Sequence, residues 1–197
     1  MIELYIFDVG GVLCRDFDIA PEAARRLGIP LEDFLDLSAP DLSPLMRGEL
    51  DGTEFWRRFE VRSGLRAGED YWKCLFSPTL DQPTCELALE LGKRARVVGG
   101  TNTIAVHYET HSRLGHYACL QAVYASHLMG LAKPERAFWL AILEAEGARP
   151  ERTFFVDDYE ENVEAAASLG IRSLLYVDAA GLRNRLIDLG APLADAG

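Results

Sequence analysis

The sequence predicts an α/β fold: a Rossmann-like parallel sheet with a small all-helical insertion. Three observations carry this. Short apolar runs recur along the chain, and each breaks off at a polar or glycine-rich turn. Stretches with apolar residues at helical spacing separate most of these runs. One long segment, residues 15–82, reads as several helices and offers no convincing strand. Strands alternating with helices imply a parallel sheet covered on both faces, with ligands bound beyond the carboxyl ends of the strands.

The first run, Leu4-Tyr5-Ile6-Phe7, stops at Asp8 and is followed by Gly10 and Gly11. A buried strand entering a polar turn has this pattern. Four later runs behave alike: 96–98 ends in Gly99-Gly100-Thr101, 122–124 ends near Ser126, 153–156 ends in Asp157-Asp158, and 173–177 ends in Asp178. Helices are predicted over 83–91, 103–114, 134–146 and 160–169. Glycines at 92, 115, 147 and 170 stop them, and Pro134 opens one, as helix punctuation requires.

A parallel crossover needs only one helix, yet helices are predicted over 21–27, 31–37, 53–61 and 68–76 between the first two strands. The chain therefore divides into a core of residues 1–14 and 83–197 and an inserted helical cap of residues 15–82. Trp56 and Trp72 read as cap core. The Ala- and Gly-rich stretch after Leu189 is expected to fray.

Hydrophobic residues make up 49% of the 197 positions, enough for a packed core. The net charge of −11 repels phosphate backbones and argues against a nucleic-acid partner. No stretch has the apolar length of a membrane span, and no basic region precedes the first strand, so neither a membrane partner nor a signal peptide is expected. Cys14, Cys74, Cys85 and Cys119 form no C-x-x-C pair, and four free thiols in a reducing cytoplasm are the simplest reading. Nothing in the sequence fixes the oligomeric state.

Four polar clusters fall at predicted strand ends: Phe7-Asp8-Val9-Gly10-Gly11-Val12-Leu13; Thr101-Asn102-Thr103; Gly130-Leu131-Ala132-Lys133-Pro134-Glu135; and Val156-Asp157-Asp158 with Glu161-Asn162 after it. Taken one at a time, each has a plainer reading. Asp8 could be a turn residue, Thr101 a helix cap, Lys133 a solvated charge, and the aspartate pair a cap for the helix at 160. Taken together and in this order, they resemble the four-motif signature of the haloacid dehalogenase (HAD) superfamily, in particular its helical-cap members with a DxGGVL-type first motif. The resemblance spans almost the whole chain.

It implies a Mg²⁺-dependent hydrolase acting on a small phosphorylated metabolite. A carboxylate at the end of a buried strand can attack phosphorus and form an aspartyl-phosphate, which is the role implied for Asp8. Attack by an anion on an anion needs charge compensation. The implied Mg²⁺ ligands are the Asp8 carboxylate, the Gly10 carbonyl and Asp158, with Asp157 beside them. Thr101, Asn102 and Thr103 would hold the phosphate, and Lys133 would add a point charge to nucleophile and phosphate.

Two departures from the pattern stand out. Phosphatases of the superfamily usually carry a second aspartate two residues after the nucleophile, as general acid–base; here that position is Gly10. Its loss is worth a factor of ~10² to 10⁴, or roughly 3–5 kcal/mol of barrier. Haloacid dehalogenases also lack it, but they need no Mg²⁺ and typically lack the paired carboxylate, so they are the alternative together with a non-catalytic binding or regulatory protein on the same scaffold. The second departure is Gly99-Gly100, which allows either close backbone approach or a roomier pocket.

His107 and His111 lie four apart on a predicted helix, at metal-ligand spacing, but no third ligand is evident and a solvated face is the better reading. His107 could still border the pocket. Arg15, Asp16, Phe17 and Arg47 are weaker candidates for the entrance, with ordinary packing favoured for each.

Overall fold

The computed structural model describes residues 1–193. Five parallel strands form its sheet: β1 (Leu4–Phe7), β4 (Arg96–Thr101), β5 (Val123–Ala125), β6 (Thr153–Asp157) and β7 (Arg172–Leu175), in the order β5-β4-β1-β6-β7. Because side chains alternate along a strand, β1 feeds two cores. Tyr5 and Phe7 join Val97, Phe154 and Val156 on one face, under α5 (Gln82–Gly92) and α10 (Ala179–Asp188). Leu4 and Ile6 join Val98 and Phe155 on the other, where Phe138, Trp139 and Ile142 of α8 (Arg136–Glu146) and Ala166 of α9 (Glu160–Ala167) cover them. The central strand is thus buried on both sides, as its unbroken apolar run requires.

Gly99 and Gly100 serve close packing and open no pocket. A Cβ on Gly99 would come within 2.8 Å of Leu120, and one on Gly100 within 2.8 Å of Ile6.

Between β1 and β4 lie α1 (Ala20–Leu27), α2 (Leu31–Met46), α3 (Gly52–Ser63) and α4 (Tyr71–Cys74), which share an aromatic core of Phe34, Phe55, Trp56, Phe59, Tyr71 and Trp72. The segment is not strand-free. Cys14–Arg15 (β2) pairs antiparallel with Thr79–Leu80 (β3), so the outgoing and returning chains lie side by side as a neck. Two-residue strands carry no readable periodicity, which is why the sequence concealed them.

Helix α2 also runs past its predicted end at Leu37, through Pro40 and Pro44. Each proline forfeits a helical hydrogen bond. The helix persists because Phe34, Ser38, Asp41 and Leu45 recur at helical spacing on one buried face. At the other end of the chain, Ala191 and Leu193 pack against the core, so the stretch after Leu189 is anchored that far; residues 194–197 lie outside the described residues. Among the described residues no helix is long and apolar enough to cross a membrane.

Asp41 clamps α2 to α3. Its buried carboxylate meets Arg62 at 2.6 Å and Arg58 at 3.2 Å. Burial opposes its charge, but the two guanidinium groups outweigh burial and hold its pKa below the ordinary carboxylate value. A depressed folded-state pKa contributes stability above the unfolded value, lost as pH falls through the folded one. Asp41→Asn should therefore cost about 1–3 kcal/mol at neutral pH by urea denaturation, with the gap to the parent protein closing below about pH 4.

Candidate active site

Four strand ends and one loop converge at the carboxyl edge of the sheet. Asp8 follows β1, where its N–H donates to the Val156 carbonyl at 2.9 Å. Asp157 closes β6 and Asp158 follows it. Ligand oxygens of Asp8, Asp157 and Asp158 all lie within 4.8 Å of one another. Into this group reaches Lys133, from the loop after α7 (Ser126–Met129), with Nζ 2.8 Å from Asp8 Oδ1 and 2.6 Å from Asp157 Oδ2. Lys133 is almost wholly buried, so both pairs sit in a low-dielectric site where an unpaired charge would be costly.

One lysine cannot balance three carboxylates. Burial pushes the Asp8 carboxyl up to about 7, and Asp157 adds to the rise while Lys133 opposes it. Asp158 is raised as well, first by burial and then by Asp157. Burial works against the Lys133 charge, but Asp8 and Asp157 overcome it and hold its pKa above the ordinary value. Asp157 is committed structurally: its Oδ1 accepts from the Tyr159 N–H at 2.8 Å and from Asn162 Nδ2 at 3.0 Å. Asp158 Oδ1, by contrast, is buried without a hydrogen-bond partner. A buried oxygen with no donor, beside two further carboxylates, fits a hard divalent cation such as Mg²⁺.

Gly11 makes room for this arrangement. Its φ is +82°, and a Cβ there would lie 2.0 Å from Asp158 Oδ2. Gly10 is under no such constraint, since a Cβ would meet the Phe17 ring at 3.4 Å, in ordinary contact.

The expected phosphate-holding residues are also at this edge. Thr101 ends β4, buried, and among the described residues its hydroxyl has only a long 3.5 Å contact, to the Asn102 carbonyl. The Asn102 side chain is occupied. Its Oδ1 accepts from the Lys133 N–H at 2.9 Å, and its Nδ2 donates to the Lys133 carbonyl at 2.8 Å. Asn102 thus clamps the lysine's main chain. Ser126, whose sequence position marks only a strand end, does the same for Thr103: it accepts from the Thr103 N–H at 2.9 Å and donates to its carbonyl at 3.1 Å.

Of the entrance candidates, Phe17 lies over Gly10 and Asp16 adopts a positive φ of 57°. Arg15 pairs with Asp81 at the neck. Arg47 reaches from the helical segment to the lysine loop, donating to the Gly130 carbonyl at 3.1 Å and pairing with Glu135.

His107 and His111 do not act as a pair. His107 contacts the Trp72 carbonyl at 2.8 Å and stacks on Phe76, and burial lowers its pKa to about 4. His111 is buried rather than solvated, and faces Cys14 and His116. A groove of about 810 Å³, lined by Glu86, Lys93, Gln121 and Arg183 among others, lies at the amino-terminal ends of β4 and β5 and contains none of the clustered carboxylates.

The fold and site define an open α/β protein with a lysine-braced carboxylate cluster at the carboxyl edge of its parallel sheet. The sequence matches the haloacid dehalogenase-like hydrolases over residues 2–170, and the chain belongs to that family. It is 31% identical to the GMP/IMP nucleotidase YrfG of Escherichia coli over 127 residues, 54% of this chain and 57% of that protein. The chain thus spans little more than half of that curated relative. It is 25% identical to phosphatase MT3486 of Mycobacterium tuberculosis over 221 residues, covering 100% of this chain and 99% of the other. Its fold is shared with a HAD family enzyme of Bacteroides thetaiotaomicron solved in complex with magnesium and inorganic phosphate, with a TM-score of 0.75, 23% identity, and 92% and 99% of the two chains covered.

Gly11→Ala should force a disfavoured φ and displace Asp158. We expect a loss of about 1–3 kcal/mol in stability and a weakened Mg²⁺-induced rise in melting temperature. Gly10→Ala should leave both nearly unchanged.

Proposed function

We propose that this protein is a Mg²⁺-dependent phosphomonoesterase acting on a small phosphorylated metabolite, with Asp8 as nucleophile. One observation carries the reading: Asp8, Asp157 and Asp158 converge around a buried, partnerless Asp158 oxygen while Lys133 braces the other two. The nucleotidase and phosphatase relatives support a phosphorylated substrate. The paired carboxylates favour this over halide displacement, which needs no metal.

Mg²⁺, held by Asp8, Asp158 and the Gly10 carbonyl with Asp157 beside them, would supply charge compensation for anion meeting anion. The chain's own groups do the rest. Lys133 holds the Asp8 carboxylate in place through Oδ1, leaving its other oxygen to attack phosphorus; the ester P–O bond breaks, the leaving alkoxide takes its proton from water, and an aspartyl-phosphate remains. Thr101, with the lysine ammonium, receives the phosphoryl oxygens. Asn102 acts on the phosphate by fixing Lys133 through its main chain. Water then releases inorganic phosphate and regenerates Asp8. Residues 15–82 act as the cap over this edge, with Arg47 tying it to the lysine loop.

Gly10 offers no proton to the leaving group, so turnover should be slow and good leaving groups favoured. With para-nitrophenyl phosphate, activity should require Mg²⁺ and fall by at least about 10³-fold in Asp8→Asn. Activity that survives either change would overturn the assignment. The backbone tolerates a side chain at position 10, so Gly10→Asp should raise the rate on an alkyl phosphate at least tenfold and by less on the aryl ester. Equal rates on both esters in the parent protein would count against the missing acid.

A further inference from the structure

A second ligand cluster lies outside the carboxylate centre. Cys14 of the neck strand β2, His111 in the last turn of α6 (Ala105–Leu114), and His116 just beyond its terminal Gly115 converge, and all three are buried. Cys14 Sγ is 3.8 Å from His111 Nδ1 and 3.5 Å from His116 Nδ1, and the two Nδ1 atoms are 3.0 Å apart. These spacings are close to those of one face of a tetrahedron around a metal ion. With metal–nitrogen bonds of about 2.05 Å and metal–sulfur bonds of about 2.3 Å, the N···N edge is about 3.3 Å and each S···N edge about 3.6 Å. Adjustments of about 0.3 Å reach that geometry.

We propose that Cys14, His111 and His116 form a transition-metal site for a borderline divalent ion of the zinc type, distinct from the Mg²⁺ centre. One thiolate and two imidazoles select such an ion, whereas the all-oxygen set of Asp8, Asp158 and the Gly10 carbonyl selects Mg²⁺. On binding, the Cys14 thiol proton leaves to solvent. The imidazole proton shared between the two Nδ1 atoms moves to Nε2 of the same ring, so each Nδ1 presents a lone pair. Three protein ligands leave the fourth position to water or a small exogenous donor.

The location gives the ion a task. Cys14 is tied to the nucleophile loop by its N–H, which donates to the Val9 carbonyl at 2.8 Å, and β2 is one of the two strands of the neck. The two histidines belong to the helix that starts just after Thr101-Asn102-Thr103 and to the turn that ends it. His111 also meets the edge of Phe76, on the returning side of the helical segment, at 5.2 Å. A bound ion would therefore staple the neck and the nucleophile loop to α6.

The test is a Co²⁺ titration of the full-length, chelator-treated protein in saturating Mg²⁺, followed by absorption spectroscopy, with a parallel Zn²⁺ titration by calorimetry. We expect a sulfur-to-cobalt charge-transfer band in the near ultraviolet, intense visible bands of a tetrahedral ion, and saturation at about one equivalent. Cys14→Ser should abolish the charge-transfer band. His116→Gln, placed in the turn outside the helix, should weaken Zn²⁺ binding by at least about 100-fold while the protein stays folded by circular dichroism. No charge-transfer band in the parent protein would make the trio a hydrogen-bonded cluster only and overturn the site. So would an unchanged band in Cys14→Ser, or unchanged Zn²⁺ affinity in a folded His116→Gln.

Discussion

The buried ammonium of Lys133 between Asp8 and Asp157 is the interaction on which the site depends. Two carboxylates at adjacent strand ends in a low-dielectric setting repel one another. The lysine lets them coexist but leaves a negative excess, and burial, with the Asp157 charge adding to it, raises the pKa values of Asp8 and Asp158. That excess is what suits the edge to the proposed Mg²⁺ site. Much of the surrounding structure keeps the lysine in place: Asn102 grips its main chain on both sides, and Arg47 holds the flanking Gly130 and Glu135 from the helical segment. The arrangement couples β4, the lysine loop and the helices above them.

The fold was legible because its signals are long-range and redundant. A strand buried on both faces must be apolar throughout, so residues 4–7 and 153–156 announced themselves, and glycine stops delimited the helices. What escaped had weak local signals. The neck strands are two residues each, and α2 crosses two prolines because its buried face outweighs the lost hydrogen bonds. No element was read between Asp178 and Leu189, where α10 lies, although Asp178 caps it by accepting from the Gly181 N–H.

The candidate site was legible as a set of residues but not as a division of labour. Asp8, Thr101, Asp157 and Asp158 were picked out by type and position at strand ends; Lys133, expected at a strand end too, comes instead from the loop after α7 and still reaches Asp8 and Asp157. Sequence could not tell that the Asn102 side chain is spent on Lys133, because that contact spans 31 positions. Nor could it pair His111 with Cys14 and His116. The helical repeat pointed to His107, four residues away, whereas the actual neighbours lie across a glycine turn and on the neck strand.

In the proposed reaction Asp8 is the nucleophile, and its phosphorylated form is stabilised by Mg²⁺, Lys133 and Thr101. Beryllium fluoride mimics a phosphoryl group on an aspartate, so its binding reports that state without requiring turnover. Fluorine NMR of the protein with beryllium fluoride should show bound resonances that appear only with Mg²⁺ and vanish in Asp8→Asn. Bound resonances that persist in Asp8→Asn, or none at all in the Mg²⁺-saturated parent protein, would contradict the account.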